Sequence, residues 1–271
     1  MELIKDFSRA VRNIRKELKN YIENNNIQSL VIGISGGIDS ALTSALAYPV
    51  CIELNIPLIG RSITIESNKK EEIRRAEMIG KTLTTDFGEV DLTETYLNFR
   101  KTNVEDFELQ NTDEHSFKIR MGNVKARQRM IYLYDLAAKN KGLVLSTDNY
   151  TELLVGFWTL HGDVGDYAMI QMLWKTEVYK MAEYLCKNEL NPKQAEALDA
   201  CIKALPTDGL GITNSDLDQL KAKSYIEVDE ILIKYLETKD KSLENHPVIQ
   251  RHLNSKYKRN NPTIINREII F

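Results

Sequence analysis

The chain has 271 residues and only three cysteines, Cys51, Cys186 and Cys201, with no C-x-x-C spacing among them. That excludes a disulfide framework and a cysteine-based zinc site, and it favours a reducing compartment. Cys51 and Cys186 fall in apolar helical patterns and read as core. No run of apolar residues approaches the ~20 needed to span a bilayer. The opening residues, Met1-Glu2-Leu3-Ile4-Lys5-Asp6, are charged where an export signal would carry an apolar core. The expected location is the cytoplasm, with no membrane partner. Charge of one sign is also missing. The 36 Lys and Arg against 39 Asp and Glu leave a net charge of -3, unlike the basic profile of a general nucleic-acid binder. There is no internal repeat and no low-complexity linker.

What is present is an ordinary globular balance, 42% hydrophobic and 28% charged, in a chain long enough for one large domain. Apolar residues recur at helical spacing from Ile4 to Ile22. Ser29 to Ile34 is a short apolar, β-branched run that predicts a buried parallel strand. A turn at Ser35-Gly36-Gly37 follows, and then a helical run from Ile38 to about Leu54. Ile56 to Ile65 predicts a second strand, Glu71 to Leu83 a helix, and Asp86 to Leu92 a weak strand. Gly122 to Lys139 has a broad apolar helical face. Gly142 to Ser146 predicts another buried strand, and Lys175 to Cys186 a helix. Strands alternating with helices imply a doubly wound α/β fold, with a mainly parallel sheet flanked by helices. Ligands of such sheets sit beyond the carboxyl ends of the strands. Two polar stretches, Phe99 to Phe117 and Pro206 to Asp216, predict loops or weak helix that border the site as lids or plain connectors.

The strongest chemical signal is Gly33-Ile34-Ser35-Gly36-Gly37-Ile38-Asp39-Ser40, after a strand and before a helix. Glycines let backbone approach an anion, and the free amides of the helix start donate to phosphate oxygens. Ser35 and Ser40 add hydroxyls. Asp39 would repel phosphate unless a magnesium ion lay between them. A Walker loop needs Gly-Lys-Ser/Thr, which is absent. Further on, Arg127 and Arg129 in Gly122-Asn-Val-Lys-Ala-Arg-Gln-Arg-Met130 point in different directions on one helix. One is free for an anionic ligand, where a guanidinium makes bidentate contacts, while the other serves a salt bridge.

These segments resemble the ammonia-dependent NAD synthetases, a family of the ATP-pyrophosphatase superfamily. S-G-G-x-D-S resembles the superfamily's pyrophosphate loop, and Gly122–Met130 resembles the family's G-N-x-x-A-R-x-R-M helix. Ser146-Thr-Asp-Asn-Tyr-Thr-Glu152 is similar to its G-T-D/G-N-x-x-E stretch. Leu173-Trp-Lys175, Leu205-Pro-Thr207 and Tyr257-Lys258-Arg259 match later motifs, so the likeness covers nearly the whole chain. The resemblance implies a single Rossmann-like ATP-pyrophosphatase domain over residues 1–271 with a helical C-terminal part. It implies ATP contacts from Gly33 to Ser40, Thr147, Lys175 and Thr207, and magnesium ligation by Asp39 and Glu152. It implies contacts to the second substrate from Arg127, Asp166, Tyr257 and Lys258. The implied reaction adenylates the carboxylate of deamido-NAD with ATP and passes it to ammonia, in a homodimer.

The departures cluster at the second substrate. Leu160 stands where the family has a lysine, Asp166 fits only with a nearby deletion, and Tyr257 replaces a histidine. These changes point to nicotinate mononucleotide or another carboxylate as an alternative acceptor. Two further alternatives are a tRNA-modifying ligase with the same pyrophosphate loop and a nucleotide-binding homologue with little activity. No cysteine is placed to release ammonia from glutamine.

Overall fold

The structure is a computed structural model and describes residues 2–66, 68–103, 113–163, 165–205 and 216–270. The elements run α1 (Phe7–Asn25), β1 (Ser29–Gly33), α2 (Ile38–Leu54), β2 (Leu58–Thr64), α3 (Lys70–Leu83), β3 (Asp86–Asp91) and α4 (Thr93–Asn103). They continue with α5 (Glu114–Lys139), β4 (Gly142–Val144), α6 (Tyr150–Val155), α7 (Lys175–Asn188) and α8 (Pro192–Ile202). The C-terminal part is helical: α9 (Asp216–Leu220), α10 (Tyr225–Thr238), α11 (Pro247–Asn254), α12 (Lys256–Arg259) and α13 (Arg267–Ile270). Among the described residues, no helix is long and apolar enough to cross a membrane.

The four strands form one sheet in the order β3-β2-β1-β4, and every pairing is parallel. Alternate residues of a strand face opposite sides, and β1 shows it. Leu30 and Ile32 enter the large core with α1, α2 and α7. Val31 joins Ile59 and Val144 under Leu133, Tyr134 and Ala137 of α5 on the other face. Both faces of β1 are therefore dry, which explains its unbroken apolar run. The order turns from one direction to the other at β1, so a crevice opens between the carboxyl ends of β1 and β4. A separate apolar cluster joins Leu154, Val155 and Trp174 to Val228, Leu232, Val248 and Ile249 of the C-terminal helices. Full burial of such a side chain is worth roughly 1.5–3 kcal/mol. That cluster is what fastens the helical part to the crevice side of the sheet.

The boundaries differ from the periodicity in instructive places. α1 begins at Phe7 because Asp6 caps it, accepting from Arg9 N at 2.9 Å. The long helix α5 begins at Glu114, eight residues before the apolar pattern does, because Asp113 caps it through Ser116 N. The stretch from Phe99 to Phe117, expected as a loop or weak helix, carries helix at both ends. Its middle, 104–112, lies outside the described residues. β4 ends at Val144, and Leu145 beyond it still donates to Val31 O while it bridges Tyr167 on its other edge. The loop expected from Pro206, with Thr207, lies outside the described residues up to 215.

Candidate active site

The loop after β1 is built to bring backbone close to a ligand. Gly36 has φ +79°, and a Cβ there would lie 2.2 Å from the carbonyl oxygen of Glu72 on α3. Only glycine fits this turn and this contact. Arg75 Nε donates to Gly36 O at 2.8 Å and holds the loop against α3. Ile34 and Ile38 are buried and anchor both ends. Ser35 Oγ lies 3.1 Å from Ser40 Oγ and accepts from Gly37 N at 3.2 Å, while Ser35 N donates to Ser40 Oγ. Gly37 caps α2 without a side-chain bond, and the first amides of a helix, which have no acceptor within it, suit an anion. Gly33 ends β1 beneath the loop.

The segment after β4 supplies a carboxylate, Glu152, to meet the loop's own Asp39. Asp39 and Glu152 come from residues more than a hundred apart and meet at Lys175. Its ammonium donates to Asp39 Oδ2 at 2.6 Å and to Glu152 Oε1 at 2.8 Å, with the lysine side chain 3% exposed. Burial alone would favour the neutral amine, but the two carboxylates outweigh it and raise the Lys175 pKa well above its ordinary value. The tip of Lys175 also lies 5.1 Å from the ring centre of Tyr225.

Asn149 is fully buried and ties the two acids together. Its Nδ2 donates to Asp39 Oδ1 at 2.8 Å, and its Oδ1 accepts from Glu152 N at 3.0 Å as the cap of α6. Asp148 and Asp163 complete a strongly acidic surround. Burial, then the carboxylates of Asp163, Glu152 and Asp39, hold the Asp148 pKa well above the carboxylate range. Asp163 is raised as well, chiefly by burial, although it accepts from Thr159 N at 2.6 Å. Arg129 reaches the carbonyl of Ile63 and Asn68 Oδ1 at the end of β2, so it braces the site wall. Thr147 sits in the loop between β4 and α6.

Two carboxylates converge on one cation-sized point, and among the described residues no third acidic, histidine or cysteine side chain completes a metal cage. That donor set suits magnesium, which keeps most of its waters and takes one or two carboxylates together with substrate phosphates.

The residues expected at the second substrate are less tightly grouped. Arg127 donates from Nε and Nη2 to the carbonyl of Leu160, at 3.3 and 3.2 Å. Lys258 donates to the carbonyls of Gly156, at 2.8 Å, and Trp158, and burial lowers its pKa. Both therefore shape the loop that carries Leu160. Asp166 lies at the carboxyl end of β4, where its carboxylate accepts from Val144 N and Tyr134 OH. Tyr257 is exposed. Sequence reasoning missed Asn149, Asp148, Tyr225 and Asp229 as parts of the site. Asn149 alone had a local signal, the Asn-x-x-Glu spacing of a capping box.

A parallel sheet whose strand order turns at β1, a Ser-Gly-Gly-x-Asp-Ser helix start and an acid–lysine–acid bridge together make an α/β protein with a site suited to a phosphate-bearing ligand and a cation. A model of the NAD synthase family matches residues 10–262, and the chain belongs to that family. An NH(3)-dependent NAD(+) synthetase of Thermoplasma acidophilum is 32% identical over 262 residues, covering 95% of this chain and 97% of that protein. One of Finegoldia magna is 30% identical over 253 residues, covering 93% and 95%. Among solved structures, the NH3-dependent NAD synthetase of Campylobacter jejuni is 26% identical with a TM-score of 0.72, covering 96% of this chain and all of that one. The NMN synthetase of Francisella tularensis has a TM-score of 0.79 at 22% identity, covering 97% and 100%, a likeness of fold.

Proposed function

We propose that the protein is an ammonia-dependent NAD synthetase. The carboxylate of deamido-NAD attacks the α-phosphorus of ATP, the bond to pyrophosphate breaks, and an acyl-adenylate forms. Ammonia then attacks the carbonyl carbon, AMP departs, and the amide nitrogen loses a proton. The observation that carries this reading is the Lys175 bridge that joins Asp39, in the Ser35–Ser40 loop, to Glu152 of α6. The names of the relatives that match over more than nine-tenths of the chain support it.

In this reading the first amides after the Gly37 cap, with Ser35 and Ser40, receive the leaving pyrophosphate. Thr147 and Thr207 steady the nucleotide, and Arg127, Tyr257 and Lys258 border the acceptor. Asp39 and Glu152 would hold magnesium, which supplies charge neutralisation at the phosphates. Lys175 then contributes a second positive charge beside them. Ammonia comes from solution or from a separate partner, and Cys51 and Cys201 are buried thiols with pKa values pushed up to about 12, far from a reactive thiolate. A homodimer is the proposed assembly, and the cytoplasm the proposed location.

Leu160 favours one second reading. An apolar side chain replaces a cation at the acceptor, and a charge-assisted contact is worth about 1.5–3 kcal/mol. Nicotinate mononucleotide is then the acceptor. Pyrophosphate release with magnesium, ATP and ammonium decides between them. Release with deamido-NAD and formation of NAD supports the first reading, release with the mononucleotide alone the second, and silence with both points to a different carboxylate or to a nucleotide-binding homologue with little activity.

A further inference from the structure

Helix α7 starts inside the protein without a side-chain cap from its own N-cap residue, Trp174. The first N–H groups of a helix have no acceptor within it, and a buried start must find them elsewhere. Lys175 N donates to Thr151 Oγ1 and Thr176 N to Asp229 Oδ2, each at 2.9 Å. The Thr151 hydroxyl donates in turn to Asp229 Oδ1 at 2.5 Å. Thr151 is fully buried and Asp229 is 2% exposed.

One carboxylate of the C-terminal part therefore serves two helices that carry site residues. Through Thr176 and Thr151 it fixes the start of α7, where Lys175 is the first residue. Through Thr151 it also grips α6 at the position next to Glu152. Negative charge beside a helix start is favourable, and the two accepted bonds offset the cost of burying Asp229. Tyr225 lies one helical turn before Asp229 on α10, on the same face. Its ring approaches the Lys175 ammonium. One face of α10 thus reaches Lys175 at both ends, the backbone amide and the charged tip.

We propose that Asp229 and Tyr225 are positioning residues, by which helix α10 sets Lys175 and Glu152 in the arrangement the nucleotide site requires, with Thr151 as the relay. This rests on the reading of that site given above, and the test separates the two.

Thr151→Val keeps the shape and removes the hydroxyl, whereas Thr151→Ser keeps it. Asp229→Asn retains one acceptor and turns an amide toward a donor. Acylation of lysines by acetic anhydride, read by mass spectrometry, needs no nucleotide. Lys125, a buried lysine paired with Glu66, is the internal control. Loss of one such bond predicts about tenfold faster acylation of Lys175 in Thr151→Val and Asp229→Asn, an unchanged Lys125, and recovery in Thr151→Ser. The ATP KM rises in parallel while the ammonia KM holds. If Asp229→Asn does not fold, Tyr225→Leu makes the same comparison from the ammonium side. Unchanged protection of Lys175, or an equal rise at Lys125, overturns the proposal. Selective exposure of Lys175 in variants of a parent that turns over no ATP would instead remove the ligase reading and leave the positioning role standing.

Discussion

Asp166 and Val144 are bound to each other twice: Val144 N donates to Asp166 Oδ2 at 2.9 Å, and Asp166 N donates to Val144 O at 2.7 Å. The pair extends the sheet past the last residue of β4 and fixes where the site segment begins. Tyr134 of α5 adds a third bond at 3.1 Å. Asp166→Ala is therefore expected to lower stability by about 1–3 kcal/mol, the cost of leaving such groups unpaired. The acceptor KM stays within about twofold, since the side chain faces the sheet end. Urea denaturation and steady-state kinetics check both halves.

Lys175→Met leaves the half-buried Asp39 and Glu152 side by side without their cation. Removing one partner of a buried ion pair costs about 3–5 kcal/mol. Magnesium is expected to return more stability to this variant than to the parent. A magnesium series followed by thermal unfolding gives the result, and an equal response in both proteins would refute the shared cation point.

Asn149 offers a separation of capping from charge. Asn149→Ala loses the cap, worth about 1 kcal/mol. Asn149→Asp keeps an acceptor for Glu152 N but sets a carboxylate against Asp39. At neutral pH the expected order of stability is parent, then alanine, then aspartate. Acidification lifts the aspartate variant toward the alanine one. An aspartate variant as stable as the parent at neutral pH would show that Asn149 acts only as a cap.

Asp148 has a folded pKa raised above its ordinary value, first by burial and then by three neighbouring carboxylates. Between the unfolded and folded values the folded state holds more protons. Stability from this group is thus complete below the ordinary carboxylate pKa and is lost as pH rises through the folded one. Asp148→Asn removes that loss. It is expected to match the parent near pH 3–4 and to exceed it increasingly toward neutrality. Unfolding midpoints across pH measure the gap, which must widen in that direction.

The central strand, its glycine turn and the following helix were legible because their signals are local: a doubly buried apolar run, then Ser-Gly-Gly, then helical spacing. The Lys175 helix was legible for the same reason. What escaped was pairing between distant segments. Nothing near Asp229 announces that it serves residues 53 and 78 positions away. Lys175 was expected at ATP from resemblance, but its bridge to two acids needed coordinates. For Asp166 the motif suggested a contact to the second substrate, and the coordinates add hydrogen bonds to Val144 and Tyr134 that no local signal announced.

The bridge at Lys175 makes cation loading a trade. A divalent ion held by Asp39 and Glu152 would take the place the Lys175 ammonium now fills. The lysine's flexible stem would then let its charge stay beside the Ser35–Ser40 loop. Metal and nucleotide would then load as a set, each making room for the other.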